Sequence, residues 1–184
     1  SVLEYSPSQG YRSYREKLVG YYKKYDINLV ADDIIITTGG SEAVLFAFLS
    51  CLNPGDEIIV PEPAYANYMA FAISAGAKIR TIATTIEEGF SLPKVEKFEE
   101  LINERTKGIL ICNPNNPTGN GFSVSDIEYI ADNIHSNCAF LIDEAYIEFY
   151  GRTSVSLLKD HPNLIIARTF SKAYGLASAR VGYM

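Results

Sequence analysis

Lys172 is the residue of this chain with the clearest potential for covalent chemistry. It lies in Thr169-Phe170-Ser171-Lys172, among hydroxyl and small side chains directly after an apolar run. A lysine in such a setting can form an imine with a carbonyl compound, although a lone lysine is most often a solvated surface group. Arg180 follows in the same segment, and a fixed guanidinium there could hold a phosphate through two hydrogen bonds.

Asp143 follows another apolar run, in Leu141-Ile142-Asp143-Glu144-Ala145-Tyr146. A carboxylate at the end of a buried strand needs a partner, because burial of an unpaired charge is costly, and a pyridinium N–H would serve. The rival interpretation is a magnesium-binding acid of a nucleotide hydrolase, which the lack of a Gly-Lys-Ser/Thr phosphate loop in the sequence disfavours. A helix-capping aspartate is a further alternative.

Two glycines and a serine, Gly39-Gly40-Ser41, join a third apolar run to a helix candidate. Glycine lets the backbone approach a ligand, and a helix N-terminus offers unpaired N–H donors, which suits a phosphate. An ordinary strand-to-helix turn capped by Ser41 explains the segment equally well. The G-x-G-x-x-G pattern of dinucleotide-binding folds is absent from the sequence.

A proline-rich turn, Asn113-Pro114-Asn115-Asn116-Pro117-Thr118-Gly119, follows a fourth apolar run. Its two prolines make the turn rigid and could hold an asparagine side chain at the edge of a sheet. A stiff loop with no chemical role explains the prolines as well. Taken alone, the segment leaves both interpretations open.

The elements that position these four segments alternate between strands and helices. Strands are predicted at 34–36, 57–60, 78–82, 108–112, 139–142 and 164–167, and several are continuous and rich in β-branched residues, as strands covered on both faces are. Helices are predicted at 11–25, 42–52, 65–75, 93–104, 124–135 and 153–160. The alternation predicts an α/β domain with a mostly parallel sheet, whose ligands bind beyond the carboxyl ends of the strands.

Composition argues against several other classes of protein. The 184 residues fit one domain, and a formal net charge of −6 disfavours a nucleic-acid partner. No apolar run is long enough to span a membrane, and the N-terminus lacks the features of a signal peptide. The cysteines are widely spaced and lie in apolar runs, which indicates buried thiols in a reducing compartment, and the two histidines give little support to a metal site.

Three patterns together resemble the class I and II aminotransferases of fold type I, which depend on pyridoxal 5′-phosphate (PLP). They are N-P-x-N-P-T-G from Asn113, D-E-A-Y from Asp143 and S-K-x-x-G-L-x-x-x-R-V-G-Y from Ser171, and the resemblance covers essentially the whole chain. It implies a three-layer α/β/α fold around a mostly parallel, seven-stranded sheet, with residues 180–183 in an antiparallel seventh strand. It also implies transfer of an amino group between an amino acid and a 2-oxo acid.

The resemblance gives each candidate site residue a role. Lys172 forms the imine with PLP and moves a proton during transfer, and Asp143 pairs with the pyridinium nitrogen. Asn116 and Tyr146 contact the 3-oxygen of the ring. Tyr65 stacks on the ring face, although without the resemblance it would be an ordinary core tyrosine on a helix. The phosphate is held by Gly40, Ser41, Thr169, Ser171 and Arg180, with Tyr5 reaching the phosphate of the partner subunit in a homodimer.

The resemblance also implies that residues 1–184 are a single PLP-binding large domain. Complete members of the family have an N-terminal segment and a C-terminal small domain as well, so we expect little activity from this chain alone. The part up to residue 119 is similar to aspartate aminotransferases. The part from residue 140 is similar to histidinol-phosphate aminotransferases, as in a natural intermediate form or an engineered chimera.

Two other functions remain open at this point. The chain could be a catalytically inactive scaffold, truncated or engineered, or it could belong to another fold-type I enzyme such as a β-lyase, because the residues that hold PLP are shared. The resemblance further implies a cytoplasmic protein that takes small-molecule substrates and has no nucleic-acid or membrane partner.

Overall fold

The computed structural model describes residues 4–184, which form a seven-stranded sheet covered by helices. The strands are β1 (Ile36–Thr37), β2 (Glu57–Glu62), β3 (Lys78–Ala83), β4 (Thr106–Cys112), β5 (Ala139–Asp143), β6 (Leu164–Thr169) and β7 (Gly182–Tyr183). Their order across the sheet is β1-β7-β6-β5-β4-β2-β3. Strands β2 to β6 pair in parallel, and β7 is antiparallel to both β1 and β6. The predicted mostly parallel sheet with an antiparallel seventh strand is confirmed, although this strand is Gly182–Tyr183 rather than 180–183, and Arg180 lies before it.

Helices connect the strands largely where the sequence predicts them. The α-helices are α1 (Arg12–Lys23), α2 (Gly40–Cys51), α3 (Asn67–Ser74), α4 (Val95–Glu99), α5 (Val124–Asn133) and α6 (Ile147–Tyr150). Short 3-10 helices span Ala31–Asp33, Val155–Lys159 and Ala177–Ala179. The helix predicted at 153–160 is therefore a 3-10 helix, and α4 covers only part of the predicted 93–104.

Two apolar cores lie on opposite faces of the sheet, because side chains alternate along each strand. On one face, Ile58 and Leu110 pack with residues of α2 and α3. On the other face, Ile59 and Ile109 pack with residues of α1, α4 and α5. Burial on both faces explains why the strands are continuous apolar runs rather than alternating ones, and it gives the three layers that the resemblance implies.

The first strand differs from its predicted position. The sequence predicts this strand at 34–36, whereas β1 contains Ile36 and Thr37. Ile35 still exchanges backbone hydrogen bonds with Met184, at 2.7 and 3.0 Å, so the pairing with the last strand extends past the ends of both short strands. Within residues 4–184, none of the helices has the length and apolar character needed to cross a membrane.

Candidate active site

A cavity of about 340 Å³ lies at the carboxyl edge of the sheet, lined by loops and by residues of α2 and α3. This volume is that of a small-molecule site. All the candidate residues except Tyr5 line it, namely Gly40, Ser41, Tyr65, Asn116, Asp143, Tyr146, Thr169, Ser171, Lys172 and Arg180. The structure thus brings together side chains that are far apart in the sequence.

A larger cavity, of about 610 Å³, lies beside α5. Its lining includes Lys94, Asp126 and Tyr129 but none of the candidate residues. Asp126 is already engaged, because its carboxylate accepts hydrogen bonds from the backbone N–H and the hydroxyl of Ser123 at the start of α5. The smaller cavity has the convergent reactive groups, so we take it as the candidate active site.

Asp143 is the buried acid at the floor of this cavity and ends β5. Its Oδ2 accepts a hydrogen bond from the Tyr68 hydroxyl at 2.7 Å, and its Oδ1 accepts one from the Ala145 N–H at 3.0 Å. Burial raises the pKa of Asp143, and the nearby charge of Glu144 raises it further. The two hydrogen bonds and the charge of Lys172 lower it. Burial is the largest of these effects, so the pKa of Asp143 is raised overall. A cationic N–H from a ligand would relieve this penalty.

Tyr68 is a site residue that the sequence motifs missed. Its side chain is only 1% exposed, and burial together with the nearby Asp143 charge raises the pKa of its hydroxyl, which therefore stays a proton donor. The Tyr68 ring also meets the Tyr65 ring edge-on, with 5.5 Å between centroids. No local motif marks Tyr68, because its place in the site comes from the hydrogen bond to Asp143, which is 75 residues away in the sequence.

Lys172 and Arg180 are the cations of the cavity. Among residues 4–184, neither forms an ion pair with a carboxylate. Lys172 Nζ lies 5.2 Å from the centroid of the Tyr146 ring, a distance at which a cation and an aromatic face attract each other. Two such cations at the cavity fit a ligand that carries negative charge and a reactive carbonyl.

Asn116 is the member of the proline-rich turn that faces the cavity. Its Nδ2 donates to the Tyr146 hydroxyl across 3.4 Å, so the two groups lie side by side and could share one oxygen acceptor. Asn113 instead exchanges hydrogen bonds with the backbone of Phe122 at 3.1 and 2.8 Å, and Asn115 donates to the Pro63 carbonyl at 3.1 Å. Asn113 and Asn115 therefore stabilise the turn, whereas Asn116 lines the cavity.

The start of α2 forms one end of the cavity. Gly39 is the residue before the helix and has φ 88°, a left-handed conformation that favours glycine. The helix begins at Gly40, and no side-chain hydrogen bond caps it. The alternative in which Ser41 is the cap is therefore wrong, because Ser41 lies inside the first turn. Its hydroxyl and the free N–H groups of this turn suit an anion.

Arg180 and two hydroxyl residues complete this end. The Arg180 guanidinium contacts the carbonyls of Thr38 and Ala177 at 3.4 and 3.3 Å, and it would lie 2.7 Å from a Cβ added to Gly39. Thr169 Oγ1 and Ser171 Oγ are 2.9 Å apart. A helix N-terminus, an arginine and two hydroxyls are the donors that a phosphate dianion requires, so the residues present fit PLP at both ends of the cavity.

Tyr65 and Tyr5 have different positions. Tyr65 lines the cavity just before α3, which begins at Asn67 rather than at the predicted residue 65, and Asn67 Nδ2 donates to its hydroxyl at 2.7 Å. Tyr5 is fully exposed and outside the cavity of its own chain. Its contact with a partner subunit stays a prediction.

Comparison with known proteins places this geometry among aminotransferases. The family described as aminotransferase class I and II matches residues 1–184. Histidinol-phosphate aminotransferase 1 of Archaeoglobus fulgidus is 36% identical over 100% of this chain and 53% of the relative. Histidinol-phosphate aminotransferase 2 of Carboxydothermus hydrogenoformans is 33% identical over 98% of this chain and 49% of the relative. The chain spans about half the length of the curated relatives it matches.

Solved structures give the same picture. Aspartate aminotransferase from Thermus thermophilus, solved with maleate, has a TM-score of 0.88 and 28% identity, and the match covers 98% of this chain and 48% of that one. Alanine aminotransferase from Pyrococcus furiosus has a TM-score of 0.87 and 31% identity, with coverage of 98% and 47%. The curated relatives align with both halves of the chain, and the division into two different branches stays a prediction.

Proposed function

Because this chain belongs to the class I and II aminotransferases, a family that depends on PLP, we propose that it is the cofactor-binding domain of an enzyme that transfers an amino group between an amino acid and a 2-oxo acid. The observation that supports this most directly is that one cavity contains a buried carboxylate and two cations that have no carboxylate partner among residues 4–184. The proposed extent of the domain is residues 1–184.

The residues of the cavity would hold the cofactor from its two ends. Asp143 binds the protonated ring nitrogen, because that cation supplies the counter-charge a buried carboxylate needs. Asn116 and Tyr146 donate to the 3-oxygen, and Tyr65 covers one face of the ring. The phosphate is bound by Arg180, by the first turn of α2 and by the hydroxyls at this end, which belong to Ser41, Thr169 and Ser171.

Lys172 is the proposed reactive residue. When bound, PLP supplies an electron-withdrawing ring that stabilises negative charge developing on the α-carbon of the substrate. The Nζ of Lys172 would hold the cofactor covalently until the amino group of the substrate displaces it, and the amine freed in this way would accept the proton of that α-carbon. The Tyr146 ring, 5.2 Å from Nζ, limits where the amine can move. A fixed amine raises the rate because proton transfer needs it within hydrogen-bond reach.

The names of the relatives suggest which amino donors to test first. The curated relatives are histidinol-phosphate aminotransferases, and the structural relatives include enzymes named for aspartate and alanine. We therefore propose histidinol phosphate, aspartate and alanine as the first panel of amino donors. The enzyme would act in the cytoplasm, on small molecules, as a homodimer in which Tyr5 reaches the cavity of the partner.

Covalent labelling tests this function. Incubation with PLP and reduction with borohydride should add one cofactor mass to the peptide that contains Lys172. The Lys172→Ala variant should lose this label, even if the phosphate-binding residues still retain some PLP. A label spread evenly over surface lysines, or one unchanged in Lys172→Ala, would remove the central claim.

A further inference from the structure

A fully buried ion pair lies directly behind the candidate active site. Glu144 is 0% exposed and Arg168 is 5% exposed. Arg168 contacts Oε2 of Glu144 through both Nε, at 3.0 Å, and a terminal guanidinium nitrogen, at 2.7 Å. Removing two charges from water is costly, so such a pair is retained only where other polar groups complete it.

Neighbouring groups do complete this pair. The Ser154 N–H donates to Glu144 Oε1 at 2.6 Å. The Thr153 hydroxyl lies 2.9 Å from Glu144 Oε2 and 2.7 Å from Arg168. The Arg168 guanidinium also stacks over the Tyr22 ring, 5.4 Å from its centroid. The cluster therefore connects the ends of two adjacent strands with α1 and with the loop at 153–154.

The position of the pair relative to the cavity gives it a specific role. Asp143 and Thr169 line the cavity, whereas their chain neighbours Glu144 and Arg168 do not, because consecutive side chains at the end of a strand point to opposite faces. The Glu144 N–H donates to the Ala167 carbonyl at 2.9 Å. The ion pair thus joins, on the far face, the two backbone segments that carry the ring-binding and phosphate-binding residues.

We propose that the Arg168–Glu144 pair is the positioning element of the cofactor site. By holding the ends of β5 and β6 at a fixed separation, it keeps Asp143 and Thr169 at the spacing that one rigid ligand requires. Arg168 also neutralises the carboxylate next to Asp143 in the chain. The inference rests on the proposed function only in what it says about PLP, because the ordering of the two strand ends can be measured without the cofactor.

A second ion-pair cluster, in which the carboxylate is buried but the arginines are exposed, provides a control. Glu57, 3% exposed, begins β2 and contacts Arg80 at 3.2 Å and Arg105 at 3.1 Å. This cluster lies at the amino ends of the strands, opposite the cavity. The Glu57→Gln variant should reduce stability without a direct effect on the cavity, so it separates loss of stability from loss of positioning.

The experiment compares Arg168→Gln and Glu57→Gln by amide hydrogen exchange in the cofactor-free chain and by PLP titration. Arg168→Gln should increase exchange at residues 143–146 and 169–172 and weaken PLP binding by about tenfold or more, as loss of a partner behind a ligating group does. Glu57→Gln should do neither. Unchanged exchange at these residues in Arg168→Gln, or equal effects in both variants, overturns the inference.

Two further variants cover the case in which Arg168→Gln does not fold. Arg168→Lys keeps the charge but contacts the carboxylate less fully, and should give a smaller increase in exchange at the same residues. The double variant Arg168→Gln with Glu144→Gln removes both charges and should recover part of the lost PLP affinity. If the wild-type chain fails to label at Lys172, the proposed function fails, while the exchange data still decide the positioning role.

Discussion

Tyr68 donates its hydroxyl proton to the carboxylate of Asp143 across 2.7 Å, and both residues are buried. The hydrogen bond favours the ionised form of Asp143 against the burial that disfavours it. The pKa of Asp143 therefore depends both on the burial of its carboxylate and on the hydrogen bond from Tyr68 in α3. This relationship makes Tyr68 a direct target for mutation.

Tyr68→Phe should raise the pKa of Asp143 further and weaken PLP binding. A hydrogen bond to a charged group contributes about 1.5–3 kcal/mol, so a loss of roughly tenfold or more in PLP affinity is expected. The absorption of bound PLP should change at a higher pH on the acid side than in the wild type. Tyr150→Phe is the control, since its hydroxyl binds the Phe122 carbonyl away from the cavity. Identical PLP titrations for the wild type and Tyr68→Phe would contradict the role.

Asp143→Asn should stabilise the cofactor-free chain while it weakens PLP binding. The pKa of Asp143 is raised in the folded chain, so its charged form costs stability above the folded pKa, by ~1.4 kcal/mol for each unit. That cost disappears as the pH falls from the folded pKa to the unfolded value. Urea unfolding over a pH series should therefore show a gain at neutral pH that shrinks on acidification. A difference independent of pH would argue against a strained Asp143 charge.

How much of this site the sequence predicts depends on the range of the interactions involved. Lys172 and Asp143 follow apolar strands, and local patterns are enough to find them. Tyr68 and the Arg168–Glu144 pair depend on contacts between residues distant in the chain, which no local pattern contains. The sequence alone does not decide whether Ser41 caps the helix or binds a ligand. The structure decides this, because the helix begins at Gly40 and Ser41 lies inside its first turn.

Gly182→Ala should destabilise the chain and weaken PLP binding together. A Cβ at this position would lie 2.5 Å from the carbonyl carbon of Gly39 and 2.7 Å from both the Gly40 nitrogen and the Arg168 oxygen. These are backbone atoms, so the phosphate-binding end of the cavity would have to move, and such overpacking costs about 1–3 kcal/mol. Unfolding and PLP titrations on the same variant measure both effects.

Gly20→Ala is the matched control for this substitution. Gly20 lies in α1, and a Cβ there meets nothing within 4 Å. Alanine should stabilise that helix by about 0.5–1 kcal/mol and leave PLP binding unchanged. Equal PLP affinity in Gly182→Ala and Gly20→Ala would show that close packing of β7 against Gly39 does not matter for the cofactor.

Tyr5 should act between subunits. It is fully exposed in the single chain, so a contribution to PLP binding requires a second copy. We expect sedimentation to show a dimer at high protein concentration with PLP present, and Tyr5→Phe to weaken PLP binding in that dimer. A monomer under these conditions, or an unaffected Tyr5→Phe dimer, would refute the assignment.

The 184-residue polypeptide should be a slow transaminase even where it binds PLP well. Among residues 4–184, the cations that line the cavity are Lys172 and Arg180, and both are assigned to the cofactor. Within the described part of the chain, no lining cation is then left to fix the α-carboxylate of a substrate. Orientation of this kind can lower a barrier by ~7–11 kcal/mol, so losing about half of it slows the reaction by roughly three decades or more. Steady-state assays with aspartate and alanine, which both carry an α-carboxylate, test this, with Lys172→Ala reporting the background rate of PLP. Turnover of about 1 per second or faster, an ordinary enzyme rate, would show that the described cavity suffices for catalysis.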